Sequence, residues 1–582
     1  MVEANFYLPN KCWKSIFTFL NHSDDDEHNH RCLKSLSLVS KQFLSITNTV
    51  QFSLKIYNPT RPFLYRLFKR FTNLTHLDFT CFRGDLDALL SQISCFRLNL
   101  TSLNISNHSA IPANGLRAFS KKFTTLTSLT CSNLVSFYST DLNLIAECFP
   151  LLEELDLSYP FHCINRYSYL TGVEALSLAL IKLRKVNLTS HDYLNDQLLF
   201  QLFENCKLLE EAILLYCCQI TNNGIASALR KRPTLRSLSF SNNKYAKHIT
   251  SHFTDSLMSL RSLSCFELLS FHISDELLSS IAGGIVGIVF LSLPLRRLVL
   301  RNCTGYSYSG IYCLLYNCRS IQHLDLQNAT FLNDQRVAQL SSFLGDLTSV
   351  NLSKCSMLTH LALFELIKSC PSLSEIKMEY TCIGKNRVEI SNSLTDFVVN
   401  PQLKSLYLAH NRWLRNESLI MFASISPNLQ LLDLSYCYNI SEESIYQVLK
   451  RCCKIRHLNL TSCNAVKLYG MNFDVPKLEV LNLSDTCIGD ETLYVISKNC
   501  CGLLQLSLEC CYDVTEKGVK HVLENCTQLK EINLGCCYKV HASIVSKMIF
   551  LRPSLRKITA PPRYHVSDRQ RELFSGHGCL VC

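Results

Sequence analysis

The sequence predicts an α/β solenoid: short parallel strands along one face, helices along the other, and a small all-α head in front. Three observations predict it. The phrase L-x-x-L-x-L-x-x-(C/N/T), as in "LQLLDLSYC" at residues 429–437, starts nineteen times between Leu74 and Leu555. Each phrase is followed by an amphipathic stretch such as "NISEESIYQVLKRCC". The first fifty residues lack the phrase and carry helical apolar spacing instead.

Within the phrase, Leu432 and Leu434 alternate with Leu431, Asp433 and Ser435, which puts the first pair on one face of a half-buried strand. After it, Ser441 stands where a helix cap is wanted, and Ile445, Val448, Leu449 and Cys452 fall on one helical stripe. Ser274 and Thr515 repeat that cap. The steps between starts are mostly 26 residues, with 23 and 25 after Ile455 and Leu478, and 31, 28, 32 and 30 after Leu152, Leu235, Leu263 and Leu373. Self-similarity at this period marks a leucine-rich repeat. One unit cannot bury its stripe alone, so units must stack. Strands stack about 4.8 Å apart and helices about 10 Å, so the stack is expected to curve, with a concave strand-lined path of roughly 90 Å.

Composition bounds the function. The chain has 582 residues, 47% hydrophobic and 18% charged, a globular balance too long for one core. The start "MVEANFYLPNK" has no export signal, and the longest apolar stretch, Ile281 to Leu295, holds three glycines and a proline within fewer than the roughly 20 residues of a membrane span. The net charge of +11 is scattered and forms no run, so no nucleic-acid or membrane partner is expected. No phosphate-binding loop, zinc-protease or nucleophile-elbow motif is present, so the chain is expected to be non-catalytic and to need no cofactor.

Thirty-one cysteines, an odd number, argue against complete disulfide pairing. They fall into two columns. Cys217, Cys303, Cys355, Cys437, Cys463, Cys511 and Cys537 sit eight positions after a phrase start, and Cys206, Cys318, Cys370, Cys452, Cys500 and Cys526 sit three before the next one. A reduced cysteine serves at such core positions as a small apolar residue with a weak donor. The doublets at 510–511 and 536–537 form a row and lack the convergent spacing of a zinc site.

In "LPNKCWKSIFTFLNHSDDDEHNHRCLKSLSLVSKQFLSI", Ile16, Phe17 and Leu20 and then Leu33, Leu36, Val39 and Phe43 fall at helical spacing, with an acidic, His-containing loop between. So short a segment is expected to leave apolar surface for a partner to cover. The stretch from Leu8 to Ile46 resembles the F-box, and repeats with a cysteine after the strand are similar to those of F-box leucine-rich-repeat proteins, plant ones in particular. Asn10 stands where an acidic residue is usual and Phe43 where tryptophan is commoner. The resemblance implies the substrate receptor of a Skp–cullin–F-box ubiquitin ligase, in the cytoplasm and/or nucleus. It implies that Leu8, Pro9, Ile16, Phe17, Leu20, Leu36, Val39 and Phe43 face a Skp-type adaptor, which joins the chain to a cullin. The expected organisation is then 1–49 F-box, 50–73 an irregular first repeat, 74–560 leucine-rich repeats and 561–582 a tail.

Strand positions three, five, seven and eight of each unit face the hollow, and among them Arg297, Arg301, Lys354, Lys377, Tyr380, Tyr407 and Tyr436 are the expected contacts for a protein substrate. The same four cations would serve a small anionic ligand in a hormone-type receptor of that class. A repeat scaffold or inhibitor acting without ubiquitin is the alternative from another class. The long unit after Leu152 carries Tyr159, Phe161, His162, Tyr167 and Tyr169, expected to form a lip over the hollow. The end Cys579-Leu580-Val581-Cys582 has the shape of a prenylation signal, but the final Cys is not among the usual residues, and a terminal cap is expected instead.

Overall fold

The computed structural model describes residues 8–20, 33–164, 169–241, 249–285, 288–289, 293–385, 399–565 and 567–582. The chain divides into two units, Met1–Arg232 and Pro233–Cys582. A strand begins two residues into each of the nineteen phrases; within each unit these strands run parallel, most repeats returning through a helix, while the short repeat from Ile455 passes from His457–Asn459 to Val480–Asn482 without one.

The first unit opens with the head. Helix Asn10–Leu20 packs against helix Lys41–Val50, whose N-cap Ser40 accepts from Phe43 N. Phe17, Leu33, Ile46 and Val50 form the head's core, with Trp13, Leu36, Phe43 and Phe52 against it. The head therefore encloses more apolar volume than its length suggested, because Phe52 from the next element helps to close it. The loop "HSDDDEHNHR" lies outside the described residues.

Strand Ser53–Lys55 then pairs with His76–Asp78. The intervening helix Leu64–Arg70 buries Leu64 and Phe68, while Arg70 Nε donates to Asn48 Oδ1 at 2.8 Å and Asn73 Nδ2 to the Thr49 carbonyl at 2.8 Å. Side-chain bonds thus tie the head to the first repeat. From there six phrases supply the strands His76–Asp78, Ser102–Asn104, Ser128–Thr130, Glu154–Asp156, Lys185–Asn187 and Glu211–Leu214. The expected lip is not a free flap: His162–Ile164 pairs in parallel with Ser136–Tyr138 and extends the stack by a short second ladder. Tyr159 and Phe161 stay exposed, Tyr169 opens helix Tyr169–Ala179, and Tyr167 lies outside the described residues.

The second unit continues the pattern from Ser237–Ser241 to Lys557–Thr559 and ends on Leu580–Val581, which pairs with Lys557 and Ile558. Cys579 is buried beneath that last strand, its thiol pushed up to about 12 by burial. A prenyl transfer would first have to peel the strand away, so the residue serves as packing. The stretch Ile281 to Leu295 contains a hairpin of Gly284–Ile285 with Ile288–Val289. No described helix is long and apolar enough to cross a membrane.

Two hydrogen-bond ladders lock repeat to repeat. On the helix side, a first-turn aspartate takes both the backbone N–H and the hydroxyl of the next helix's cap. Thr221 donates to Asp196, Ser307 to Asp275, Thr359 to Asp334 and Thr515 to Asp490, with hydroxyl distances of 2.6 Å in each case. A methyl group on Gly224 would strike Asp196. One carboxylate thus satisfies two donors that would otherwise be orphaned at a helix start.

On the strand side, the residue eight after the phrase start reaches back to a carbonyl of the preceding repeat. Cys217 Sγ donates to Leu188 O at 3.0 Å, Cys437 to Leu408 O at 3.2 Å, Cys463 to Leu434 O at 3.1 Å and Cys537 to Leu508 O at 2.9 Å. At three positions without cysteine the bond remains. His108 Nε2 donates to Phe79 O at 2.9 Å, His191 Nε2 to Leu157 O at 2.7 Å, and Asn411 Nδ2 to Met378 O at 2.8 Å. Phe82, Leu134, Phe271 and Ala329 fill the same place with a buried apolar side chain, so a compact donor is one of two ways to occupy the column, and cysteine is one way to supply it.

His191 makes that ladder sensitive to acid. It is buried between the rings of Phe137 and Tyr193. Burial depresses its pKa to about 4, although the bond to Leu157 and the charge of Asp156 push the other way. An unfolded histidine takes a proton near pH 6.5, so the contribution is fully present above that value and is lost as the pH falls toward 4. The loss is on the order of 3 kcal/mol. His191→Asn keeps a donor with no titration. Its urea midpoint for the first unit should therefore fall less between pH 7 and pH 4.5 than that of the parent, and equal falls would refute the assignment.

Candidate partner-binding surfaces

The eight head residues expected to face an adaptor separate into two groups. Leu8, Pro9, Ile16, Leu20 and Val39 lie on the outside. Phe17 is turned inward, 1% exposed, with its ring 5.0 Å from Phe43 and 6.1 Å from Trp13. Leu36 and Phe43 are half-buried against the same core. The reason is the helix itself: Trp13 and Phe17 are one turn apart and share the stripe that meets Lys41–Val50, whereas Ile16, Phe19 and Leu20 fall on the neighbouring stripe. Phe19 and Leu38, both 80% exposed, and Leu44 belong to the outer surface and escaped the sequence reading. Their signal was present, since Phe19 follows Ile16 by three. Gln42 Nε2 donates to Asn10 Oδ1 at 2.6 Å, so Asn10, at the unusual position, clasps the two helices.

The strand-side residues also divide. Arg301 is held by Asp325, its Nε and NH2 donating to Oδ2 at 3.2 and 2.9 Å, and Asn351 donates to the same oxygen. It is therefore part of a link between repeats and less free for an anion than the sequence suggested. Arg297 is exposed and helps to lower the pKa of His323, though burial is the larger cause.

The remaining five gather on adjacent repeats. Tyr380, His410 and Tyr436 stack nearly parallel, with centroids 3.9 and 4.1 Å apart, and Lys354 lies 6.0 Å from the Tyr380 ring. Three residues before Tyr380 and His410 in their repeats, Lys377 sits 4.7 Å over Tyr407 and 3.4 Å from Glu375. Lys354, Tyr380, His410 and Tyr436 all hold a left-handed backbone, with φ of 63°, 53°, 61° and 60°. Their N–H groups donate to the next repeat, as Tyr380 N does to Ala409 O at 3.0 Å and His410 N to Ser435 O at 2.8 Å. This conformation is costly for non-glycine residues, and the bonds across repeats offset the cost while stacking the side chains in a row. Burial, then Asp433, raises the Glu379 carboxyl, and burial, then Glu375, raises the Tyr407 hydroxyl. The result is an aromatic surface edged by both signs of charge, the chemistry of a protein or peptide contact.

Among the described residues no three His, Cys, Asp or Glu side chains converge as metal ligands. The described cysteines are free thiols, and in both columns burial drives the buried ones up, Cys452 and Cys463 to about 12. Buried protonated thiols make poor nucleophiles and poor ligands.

No protein-family model matches the chain. The BTB/POZ domain-containing protein FBL11 of Arabidopsis thaliana is 25% identical over 237 residues, which are 40% of this chain and 23% of that protein. The match thus spans about a quarter of that relative's length. Among solved structures, a chain of the yeast Rad7 and Elc1 complex aligns with a TM-score of 0.45 at 17% identity, covering 81% of this chain and 97% of that one. The TLR13–ssRNA13 complex aligns at 0.36 and 14%, covering 90% and 77%. An internalin (inlF) of Listeria monocytogenes aligns at 0.33 and 15%, covering 68% and 88%. Superpositions this loose carry no argument about what the chain binds, and its own strands and helices define it as a leucine-rich-repeat protein.

Proposed function

We propose that this chain is the substrate-recognition subunit of a Skp–cullin–F-box ubiquitin ligase, working in the cytoplasm and/or nucleus. Its head docks on a Skp-type adaptor and through it on a cullin. Its repeats hold a protein to be ubiquitinated and degraded, with Tyr380, His410, Tyr407 and Tyr436 at the centre of the contact. Catalysis belongs to the other subunits. One observation carries the reading: the head closes its own core around Phe17 yet leaves Leu8, Ile16, Phe19, Leu20, Leu38 and Val39 outside. Large apolar groups grouped on so small a domain are a surface for another protein.

Each such side chain covered by the adaptor contributes about 1.5 kcal/mol or more, so Leu8→Ala with Pro9→Ala should weaken co-precipitation of a Skp-type adaptor by roughly a hundredfold. Unchanged recovery by a folded double variant defeats the reading and leaves a repeat scaffold that acts without ubiquitin.

A further inference from the structure

On the helix face of the second unit, Tyr308, Tyr312 and Tyr316 stand one turn apart along helix Tyr308–Asn317. Tyr312 and Tyr316 are nearly parallel at 6.3 Å, and Phe343 meets them edge-on at 5.2 and 5.6 Å. Between this helix and Asp334–Ser341 lies a groove of about 450 Å³ lined by Tyr308, Ser309, Tyr312, Gln339, Ser342 and Phe343. Tyr312 is 40% and Tyr316 50% exposed, although packing within the repeats does not require rings there. On the helix Glu516–Asn525, by comparison, Lys517, Lys520 and Glu524 point outward.

A cation closes each end. The Arg336 guanidinium lies 5.2 Å over Tyr308, and that of Arg319 lies 5.1 Å over Tyr316 and 5.5 Å from Phe343. Each also donates to a backbone carbonyl, Arg336 to Phe331 and Arg319 to Tyr316. Among the described residues neither has a carboxylate within ion-pair distance. Tyr308 to Tyr316 is eight residues of helix, roughly 12 Å, about the length of four residues of polyproline II at 3.1 Å each.

We propose that this groove docks a proline-rich segment in the polyproline II conformation with an acidic side chain at each end, of the form acid-Pro-x-x-Pro-acid. The proline rings lie on the aromatic floor. The peptide's carbonyls, unpaired in this conformation, accept from the hydroxyls of Tyr312 and Tyr316, which make no hydrogen bond among the described residues. The rings hold each guanidinium in place, leaving N–H groups for a carboxylate. Two cations at the ends select the peptide's flanks. They do not make the continuous basic track that single-stranded nucleic acid needs along its phosphates. The site shares no residue with the head or the strand face, so it stands whether or not the chain serves a ubiquitin ligase.

Fluorescence polarisation with the full chain and the peptides EPAAPE, KPAAPK and EAAAAE tests it. EPAAPE should bind, and KPAAPK and EAAAAE should bind at least about tenfold more weakly. Tyr312→Ala, at an exposed position, should weaken EPAAPE similarly, and Arg319→Glu with Arg336→Glu should reverse the preference between EPAAPE and KPAAPK. If the double variant does not fold, as judged by circular dichroism, Arg319→Glu alone should bring the two peptides close to equal. Any of four results overturns the proposal: no binding of EPAAPE, undiminished binding by Tyr312→Ala, a flank preference that Arg319→Glu does not move, or tighter binding of oligothymidylate than of EPAAPE.

Discussion

Phe17→Ala should unfold the head, whereas Phe19→Ala, two residues away, should leave it folded and disable it. The Phe17 ring is enclosed by Trp13, Phe43 and the aliphatic core of Leu33, Ile46 and Val50. Truncating a buried phenylalanine costs about 3–5 kcal/mol. That is most of what so small a domain has, since whole domains are stable by only about 5–15 kcal/mol and short ones bury proportionally less surface. The Phe19 ring is 80% exposed and has little to lose in the free protein. The two tryptophans are Trp13 and Trp413, the second in the other unit and half exposed, so in a Trp413→Phe background fluorescence reports on the head alone. Phe17→Ala should abolish the cooperative change in Trp13 emission with urea. Phe19→Ala should preserve it while weakening adaptor recovery about tenfold or more. A normal Trp13 transition in Phe17→Ala would mean that the ring is not where the core needs it.

The same pair shows what a sequence can and cannot disclose. Helical spacing marks Trp13, Ile16, Phe17 and Leu20 as apolar without saying which stripe meets the chain's own core and which is left for a partner. That choice depends on where Lys41–Val50 lies, and its approach is fixed by Ser40 and by the Asn10–Gln42 clasp. The repeats were more legible, because alternation and period act within one unit: every phrase from Leu74 to Leu555 holds a strand, and Ser274 and Thr515 accept at their helix starts as their side chains suggested, whereas Ser441 stands at the cap without that bond, its hydroxyl accepting from Asn416 of the preceding repeat. The cysteine column is legible as packing with a weak donor. The structure adds that the donor reaches the preceding repeat, as it also does from His108, His191 and Asn411, while Phe82, Leu134, Phe271 and Ala329 fill the same place without one. The left-handed residue just before that column left no trace, because Asn, Ser, Tyr, Lys, His, Asp and Cys all occupy it and the usual glycine does not. The row of Tyr380, His410 and Tyr436 follows from that conformation, so their selection as surface residues was possible from sequence while their stacking was not. The tie from Arg301 to Asp325 was hidden in the sequence because the two lie one repeat apart.

Asn411→Leu should be the most damaging single change in the second unit. Asn411 is wholly buried and makes four bonds. Its Nδ2 donates to Met378 O at 2.8 Å and Leu408 O at 2.9 Å, and its Oδ1 accepts from Thr381 N at 3.0 Å and Thr381 Oγ1 at 2.8 Å. Leucine has nearly the same bulk and none of these bonds. With each stranded buried group costing about 1–3 kcal/mol, and Thr381 Oγ1 able to keep its bond to Met378 O, the loss should be about 4 kcal/mol or more. Asn411→Cys should cost far less, about 1–2 kcal/mol, because a thiol here reaches the preceding carbonyl as Cys437 does, and the Thr381 N–H is free to return to the carbonyl of its own repeat, the bond that Cys437 N makes to Leu434 O. Thr381→Cys together with Asn411→Cys would rebuild two ordinary rungs and should come closest to the parent. Because stacked repeats can open locally, hydrogen exchange at the Thr381 and Tyr380 amides reads the damage more directly than a global melt. Protection should fall in the order parent, double cysteine, Asn411→Cys, Asn411→Leu. A leucine variant exchanging as slowly as the parent would mean that bulk alone holds this position, and that the donor column is an accident of packing and not the link between repeats.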